Sequence, residues 1–420
     1  MKFGMRKLSI KKSISARTTG KIKRSIKKAI ILFINKDNLD SDKIEDLLII
    51  LDNWSKKTYE GHNVCFGIVI DFGSTADYNS SNYHNDFLSF LKNEFSAVLT
   101  DGITSLFFVD KKCDFIKYVS STKLFSTGGS KLMDNISDSF LPYRFFETLS
   151  SYVDGDKVGL CLLNNGDLLV AKNKEIRFIH RSGKWMNFSQ FEFIKTLNEN
   201  SDYRLKSDLL KNIYTSVLDV SLAHTGGIIA VVDYKQKNIS DLQEIINDID
   251  CYYDISDTEK SLEKLYKKEL IKNIKKLNDK CPLELKEIIE KDKFLDDKNN
   301  FDKFDAIVQN NSICFLIKED VLKRMTKRFF VSKLISKNKF FELDRKLRAE
   351  LLGMDGAFII DKSGDIVAIG AIIKNDSGSS GGARGSAARK LSTYGGFSIK
   401  VSTDGYIEVY SSGNVIYSIK

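Results

Sequence analysis

Between Val64 and Tyr410 the chain is punctuated by short apolar runs of strand length, each closed by glycine, asparagine or aspartate, and this punctuation limits the fold more than any other feature. Val64–Asp71 and Ser105–Asp110 read as strands, with a helical stretch, Phe87–Leu99, between them. Strands alternating with helices point to an α/β fold. Val158–Leu163, Leu168–Ala171 and Ile176–His180 follow as shorter strands joined by Asn165-Gly166-Asp167 and Asn173-Lys174. Both joins are hairpin chemistry, because Asn and Gly tolerate positive φ, so the three strands read as a β-meander. Trp185 reads as its half-buried anchor, although with Arg181 and Lys184 beside it the ring also suits a nucleobase. Ser41–Trp54 precedes these strands as an amphipathic helix, with Ile44, Leu47, Leu48 and Leu51 at helical spacing, and a helix around Phe188–Leu197 follows them.

A second series starts with a helix over Lys206–Leu222, then His224-Thr225-Gly226-Gly227 and a buried strand, Ile228–Asp233. His224, at a helix–strand junction, reads first as a capping or packing residue and second as a residue facing a groove. Thr258–Asp297 is rich in Lys, Glu, Leu and Ile and reads as a helical insertion with a solvated charged face. Strands are expected again at Ala306–Leu316, a helix at Phe340–Leu352, and strands at Gly353–Ile360, Ile366–Lys374, Phe397–Ser402 and Tyr406–Tyr410.

Charge and cysteine usage exclude several classes. No run approaches the roughly 20 apolar residues of a membrane span, and the basic first residues lead into no apolar segment ending at a cleavage site; the chain reads as cytoplasmic. The six cysteines stand singly and form no paired zinc or disulfide pattern, so they read as small buried hydrophobes. Eleven of the 65 Lys and Arg residues lie between Met1 and Lys28, where there is no acid, leaving 54 bases against 56 acids elsewhere. The net charge of +9 therefore belongs to an arm over residues 1–40 and not to the body. Such an arm reads chiefly as solvated; nucleic acid, an anionic membrane (Ser25–Asn35 has an apolar helix end) or an acidic partner are its candidate contacts.

The feature that carries chemistry is Asp376–Gly385, Asp-Ser-Gly-Ser-Ser-Gly-Gly-Ala-Arg-Gly, followed by the helix former Ser386-Ala387-Ala388-Arg389-Lys390-Leu391. A glycine-rich turn feeding a helix directs unpaired N–H groups and the positive end of the helix dipole at one point, and glycines let an anion come close. Arg384 adds a bidentate donor for phosphate. The loop is no Walker A motif, since Gly-Lys-Ser/Thr is missing. Asp71-Phe72-Gly73 likewise lacks the remaining parts of a kinase and reads as a strand end.

Met354-Asp355-Gly356-Ala357, then Gly382-Ala383-Arg384-Gly385-Ser386-Ala387-Ala388, then Val401-Ser402-Thr403-Asp404 occur in the order of the diadenylate cyclase domain family, which includes the DNA-integrity-scanning proteins. Arg348-Ala349-Glu350-Leu351-Leu352 and Gly227-Ile228-Ile229-Ala230-Val231 are similar to that family's preceding helix and strand. The resemblance covers roughly residues 205–420. It implies a mixed sheet flanked by helices that binds ATP or a cyclic dinucleotide, and a homo-oligomer in which two domains face each other. There the 3′-hydroxyl of each ATP attacks the other's α-phosphate, giving cyclic di-AMP with Mg²⁺ or Mn²⁺ as cofactor. Asp355 would then be catalytic and, with Asp404, near the metal. Gly356, Ala357, Gly382, Ala383, Arg384, Ser386 and Ser402 would hold the nucleotide. The family carries Arg-His-Arg where this chain has Arg384-Gly385-Ser386, so an imidazole and one fixed guanidinium are missing.

The resulting division is a basic arm (1–40), an N-terminal α/β domain (41–203) and a cyclase-like nucleotide-binding domain (204–420) interrupted by the charged insertion at about 240–300. Three readings follow: a nucleotide sensor with weakened or lost cyclase activity, a working diadenylate cyclase, and a non-catalytic protein that docks through its arm.

Overall fold

A computed structural model describes residues 41–74, 86–120, 142, 149–200, 205–233, 246–248, 259–277, 280–289, 298–335, 338–374 and 382–420. The basic arm with Ser25–Asn35, Cys251 and the first part of the glycine-rich run lie outside these residues.

The first half runs α1 (Ser41–Trp54), a small hairpin of β1 (Thr58–Tyr59) and β2 (His62–Asn63), β3 (Phe66–Asp71), α2 (Phe87–Leu91), β4 (Ser105–Asp110), β5 (Phe115–Ser120), α3 (Leu149–Tyr152), β6 (Lys157–Leu162), β7 (Leu168–Lys172), β8 (Glu175–Arg181), β9 (Lys184–Asn187) and α4 (Gln190–Glu199). Strands β3 to β9 form a mixed seven-stranded sheet in the order β5-β4-β3-β6-β7-β8-β9. The expected meander is present, and its turn residues adopt positive φ: 85° at Gly166, 53° at Asn173 and 59° at Lys174. The helix expected over Phe87–Leu99 is broken. Asn93 is extended (φ −80°, ψ 127°) and its side-chain amide donates to the Phe90 carbonyl at 3.2 Å, so α2 stops and a short 3₁₀ turn, Glu94–Val98, follows.

The second half runs α5 (Ser207–Ala223), β10 (Gly227–Val232), β11 (Ile246–Asp248), α6 (Glu259–Lys275), α7 (Leu283–Ile289), α8 (Lys298–Asn310), α9 (Ser312–Ile335), α10 (Arg345–Leu352), β12 (Ala357–Asp361), β13 (Ile366–Ile373), α11 (Gly382–Leu391), β14 (Phe397–Val401), β15 (Ile407–Ser411) and β16 (Asn414–Ile419). Its seven-stranded sheet has the order β11-β13-β12-β10-β14-β15-β16. The strand expected at Ala306–Leu316 is instead the junction of α8 and α9. Asn311 caps α9 through Oδ1, which accepts from the Ile313 and Cys314 amides at 3.2 and 3.1 Å. Phe304 and Val308, four apart, and Cys314 and Val321, seven apart, are buried with Leu270 and Ile274 of α6 in a core belonging to the insertion. An apolar run as short as 313–317 has no period of its own, and packing on one side chose the helix. Within Phe340–Leu352, Asp344 caps α10 by accepting from the Lys346 and Leu347 amides (2.9 and 3.1 Å), so the helix starts only at Arg345.

The layers are α1 and α2, the first sheet, then α4, α5 and α10, the second sheet, and finally α11. Helix α5 is buried at every position from Ile213 to Leu222 because a single apolar cluster joins it to Val69 and Phe108 of the first sheet and to Ile229 and Phe358 of the second.

The two sheets share one plan. β3 is parallel to β4 and antiparallel to β6 as β10 is to β12 and β14. Ile68 pairs with Phe107 and Leu160 as Ile229 pairs with Phe358 and Ile399. In the turns 163–167 and 402–406, Leu163 N–H donates to Asp167 O and Gly166 N–H to Leu163 O, as Ser402 does to Tyr406 and Gly405 to Ser402, all at 2.8–2.9 Å. A register shift follows Val170 in β7 and Val409 in β15. Asp110 and Asp361, opening Asp-Lys-x-x-Asp turns, each accept at Oδ1 from the backbone two and four residues on.

Candidate functional site

The residues singled out by the motifs meet at one edge of the second sheet. Parallel strands β10 and β12 begin there, and antiparallel β13 and β14 end there: Ala357 stands opposite Ile228 and Ala371, and Gly227 opposite Val401. Helix α11 opens at the same edge. Its Ala387, Ala388 and Leu391 pack among Ile228, Ala230 and Ile359 on the face away from α5, and Ser398 Oγ donates to the Ala388 carbonyl at 2.5 Å.

The backbone at this edge is held close by glycine. Gly356 has φ 95°, and a β-carbon there would collide with the Gly370 carbonyl group of β13. Gly226 has φ 71°, and a β-carbon would stand 2.6 Å from Arg384 Nη1 and 3.2 Å from the Thr403 amide nitrogen. The Arg384 guanidinium therefore lies over the Gly226 turn and next to the turn after β14. One at Gly353 would be 3.1 Å from Thr225 Oγ1, which brings the turn before Asp355 against the same glycine pair. Gly226 and Thr403 were not among the residues expected to bind; the Gly226-Gly227 pair before a buried strand was the available signal.

The remaining expected residues are distributed along this edge. Asp355 is exposed, and Oδ1 accepts from the Gly356 amide at 3.2 Å. Ala357 is buried as the first residue of β12. Gly382 (φ 73°) and Ala383 are exposed at the start of α11, and Arg384 and Ser386 are half-buried. Ser402 turns its oxygen inward to accept from the Tyr406 amide at 3.0 Å, closing the turn, while Asp404 is exposed at the tip.

Beside the first turn of α11 stands a charged cluster that the motifs did not announce. Lys400 Nζ and Tyr410 Oη each lie 3.7 Å from where a Gly385 β-carbon would be. Both donate to Glu408 Oε2, at 2.9 and 2.8 Å, and Lys420 pairs with Oε1. Burial works to raise the Glu408 carboxyl, but the hydrogen bonds from Lys420, Lys400 and Tyr410 outweigh it and hold it at about 2, against an ordinary 4.5. Burial, and then the bond to Glu408, push the Tyr410 phenol up.

No group of three or more His, Cys, Asp and Glu suited to a metal occurs among the described residues. A magnesium ion is commonly held by one or two carboxylates together with substrate phosphates. The exposed carboxylate of Asp355 fits that mode of binding, and a cage made of protein ligands alone does not fit these residues.

On the other side, His224 caps α5 in the left-handed conformation (φ 55°), and its Nε2 is 3.1 Å from Asp167 Oδ2. It packs and caps. Arg181 does not reach toward a base: it is buried and paired with Asp167, Nη2 to Oδ2 at 2.6 Å. Trp185 is half-buried, its ring centroid 4.8 Å from that of His180. Cys113, Cys161, Cys281 and Cys314 are buried thiols and Cys65 is half-buried.

The chain matches no protein-family model, no curated protein and no solved structure. No helix among the described residues is long and apolar enough to cross a membrane.

Proposed function

We propose that the edge formed by the Gly226 turn, Asp355-Gly356-Ala357 and the start of α11 binds a nucleotide, ATP or a cyclic dinucleotide, and that the protein is a sensor with weakened or lost diadenylate cyclase activity. The observation that carries this reading is Arg384: its guanidinium lies within reach of two glycine-tightened turns at a helix start, where backbone donors and the helix dipole favour phosphate. Asp355 is the group that would orient a ribose hydroxyl. Mg²⁺ or Mn²⁺, when bound with the phosphates, would supply charge neutralisation. Missing the imidazole and second guanidinium of the family's motif is expected to cost chemistry more than binding, since each lost charged donor in a transfer site is worth about 3 kcal/mol.

An active cyclase is the second reading, and Lys400 favours it. Lys400 and Lys420 share Glu408, so the cluster beside Gly385 keeps one net positive charge in the neighbourhood of the missing side chains. That activity would require two such edges from two copies of the chain facing each other. The basic arm would then serve docking to an anionic surface or nucleic acid.

The deciding experiment incubates the full chain with ATP and Mg²⁺ or Mn²⁺, identifies products by mass spectrometry, and measures ATP and cyclic di-AMP binding in parallel by calorimetry. Binding lost in Arg384→Ala without product supports the sensor. Cyclic di-AMP formed by the wild type and not by Asp355→Asn supports the enzyme. No binding and no product would remove both.

A further inference from the structure

The Gly226 turn under Arg384 and the Ser402–Gly405 turn beside it are each tied, one step away, to the first sheet. His224, directly before the Thr225–Gly227 turn, meets Asp167 through Nε2. Gly405, which closes the Ser402–Gly405 turn, has its carbonyl bound by Ser221 Oγ at 2.5 Å. Ser221 in turn accepts at Oγ and at its carbonyl from Arg181 Nη1 and Nη2, both at 3.2 Å. Arg181 Nε bonds Asp167 at 3.0 Å, and Asn165 Nδ2 donates to the Leu222 carbonyl at 2.8 Å. Gly405 has φ 75°, and a β-carbon there would collide with Arg181 Nη1 and the Ser221 carbonyl, so the guanidinium is pressed against this turn. Asp167 closes the turn that corresponds, in the first sheet, to the one containing Gly405 in the second. Counterpart turns of the two sheets are thus joined through one arginine.

We propose that Arg181, held by Asp167, is a positioning residue for the nucleotide edge, and that through it the first sheet and nucleotide binding are coupled. This rests on the nucleotide reading above. The physical argument is that Arg181 satisfies groups from three segments: the first sheet's turn, the end of α5, and, by way of Ser221, the turn of the second sheet. Arg181 and Asp167 are both almost fully enclosed, so neither has water as an alternative partner, and a shift at the first sheet's turn moves the other two segments instead of breaking the contact. Linkage makes the coupling reciprocal: nucleotide at Arg384 tightens the junction, and a loosened junction lowers nucleotide affinity.

The test compares full-length wild type with Arg181→Lys and Ser221→Ala. The second variant uncouples Gly405 without leaving a buried charge unpaired, and so reports even where the first fails to fold. Val321→Ala, in the separate core of the insertion, controls for general loss of stability. Two readouts are taken: ATP affinity by calorimetry, and hydrogen exchange of the amides at 225–227 and 402–405 without nucleotide. The expected result is an ATP affinity about tenfold weaker in the Arg181 and Ser221 variants, with faster exchange confined to those two turns, while Val321→Ala changes neither. Folded variants with wild-type affinity and wild-type exchange at both turns would overturn the proposal. Wild type that binds no ATP would remove the nucleotide reading and the affinity half of this one, and the exchange measurement would still decide whether Arg181 positions the turns.

Discussion

The two sheets, built on one plan, differ most at the turn that leads into the second strand of each parallel pair. In the first sheet this is Asp101-Gly102, separated from β4 by Ile103 and Thr104; in the second it is Asp355-Gly356, which enters β12 directly. These two residues and the first residue of β4 occupy the first carboxylate. Asp101 Oδ1 accepts from the Ile103, Thr104 and Ser105 amides at 2.9, 2.7 and 2.9 Å, and Oδ2 accepts from Thr104 Oγ1 at 2.6 Å. Gly102 then lies against Gly67 of β3, whose counterpart in β10 is Ile228. Among the described residues, Asp355 accepts only a 3.2 Å bond from its neighbour, and it is exposed. One fold thus uses the same dipeptide once as a closed structural turn and once as an open edge. What separates the two is hydrogen-bond saturation, not the residues of the motif.

That contrast can be broken or sharpened by substitution. The largest effect is expected at the counterpart cations at the ends of β8 and β16. Arg181 is 2% exposed and its loss leaves the buried Asp167 with His224 and Asn165 alone, so Arg181→Ala should lower stability by about 3 kcal/mol in urea unfolding. Lys420, 59% exposed, should cost under about 1 kcal/mol on replacement by alanine. Next come the glycines. Gly356→Ala drives a β-carbon into the Gly370 backbone at φ 95° and should cost about 3 kcal/mol or more; Gly102→Ala, at φ 69°, meets the Cys161 side chain at 2.7 Å and the Phe66 carbonyl at 2.9 Å and should cost roughly 2 kcal/mol because its overlap with backbone is shallower.

The aspartates should part company altogether. Asp101→Asn loses charge-assisted turn bonds and should destabilise by about 1–2 kcal/mol with ATP binding unchanged. Asp355→Asn should leave the unfolding free energy within about 0.5 kcal/mol of wild type and act on nucleotide binding or turnover instead. Equal stability losses in the two variants would erase the distinction between a closed and an open turn.

The last contrast is in pH dependence. Glu408 is held down to about 2 by its donors, so its contribution is complete above its ordinary 4.5 and lost as pH falls toward the folded value. Between pH 6 and 4 the loss should be about 1 kcal/mol by linkage, and Glu408→Gln should remove that part of the slope. For Asp101, burial pushes the carboxyl up, but the bonds from Thr104, Ile103 and Ser105 outweigh it and hold it below 3.8. Its contribution is likewise present above 3.8 and fades below, so Asp101→Asn should flatten the profile at lower pH than Glu408→Gln does.

Local chemistry was enough for much of the fold. The 3.6-residue spacing of Ile44, Leu47, Leu48 and Leu51 defines α1, and positive-φ residues at Gly166, Asn173 and Lys174 define the meander, because a helix face or a two-residue turn depends on residues a few positions apart. The edge with Asp355, Gly356 and Arg384 was also legible as a set of motifs. The shared plan left no distinct trace in the sequence: the Asp-Lys-x-x-Asp of 110–114 and 361–365 also occurs at 42–46 and 292–296. Longer-range packing settled the rest. It made 306–316 helical, since the partner helix α6 lies some forty residues away, and it set Arg384 over Gly226 rather than in solvent. It also took Arg181 out of reach of any ligand, through a buried carboxylate fourteen residues earlier. A charged side chain looks the same in a sequence whether it ends in water or against an opposite charge; only desolvation by the surrounding layers distinguishes the two, and that is a property of the assembled sheets.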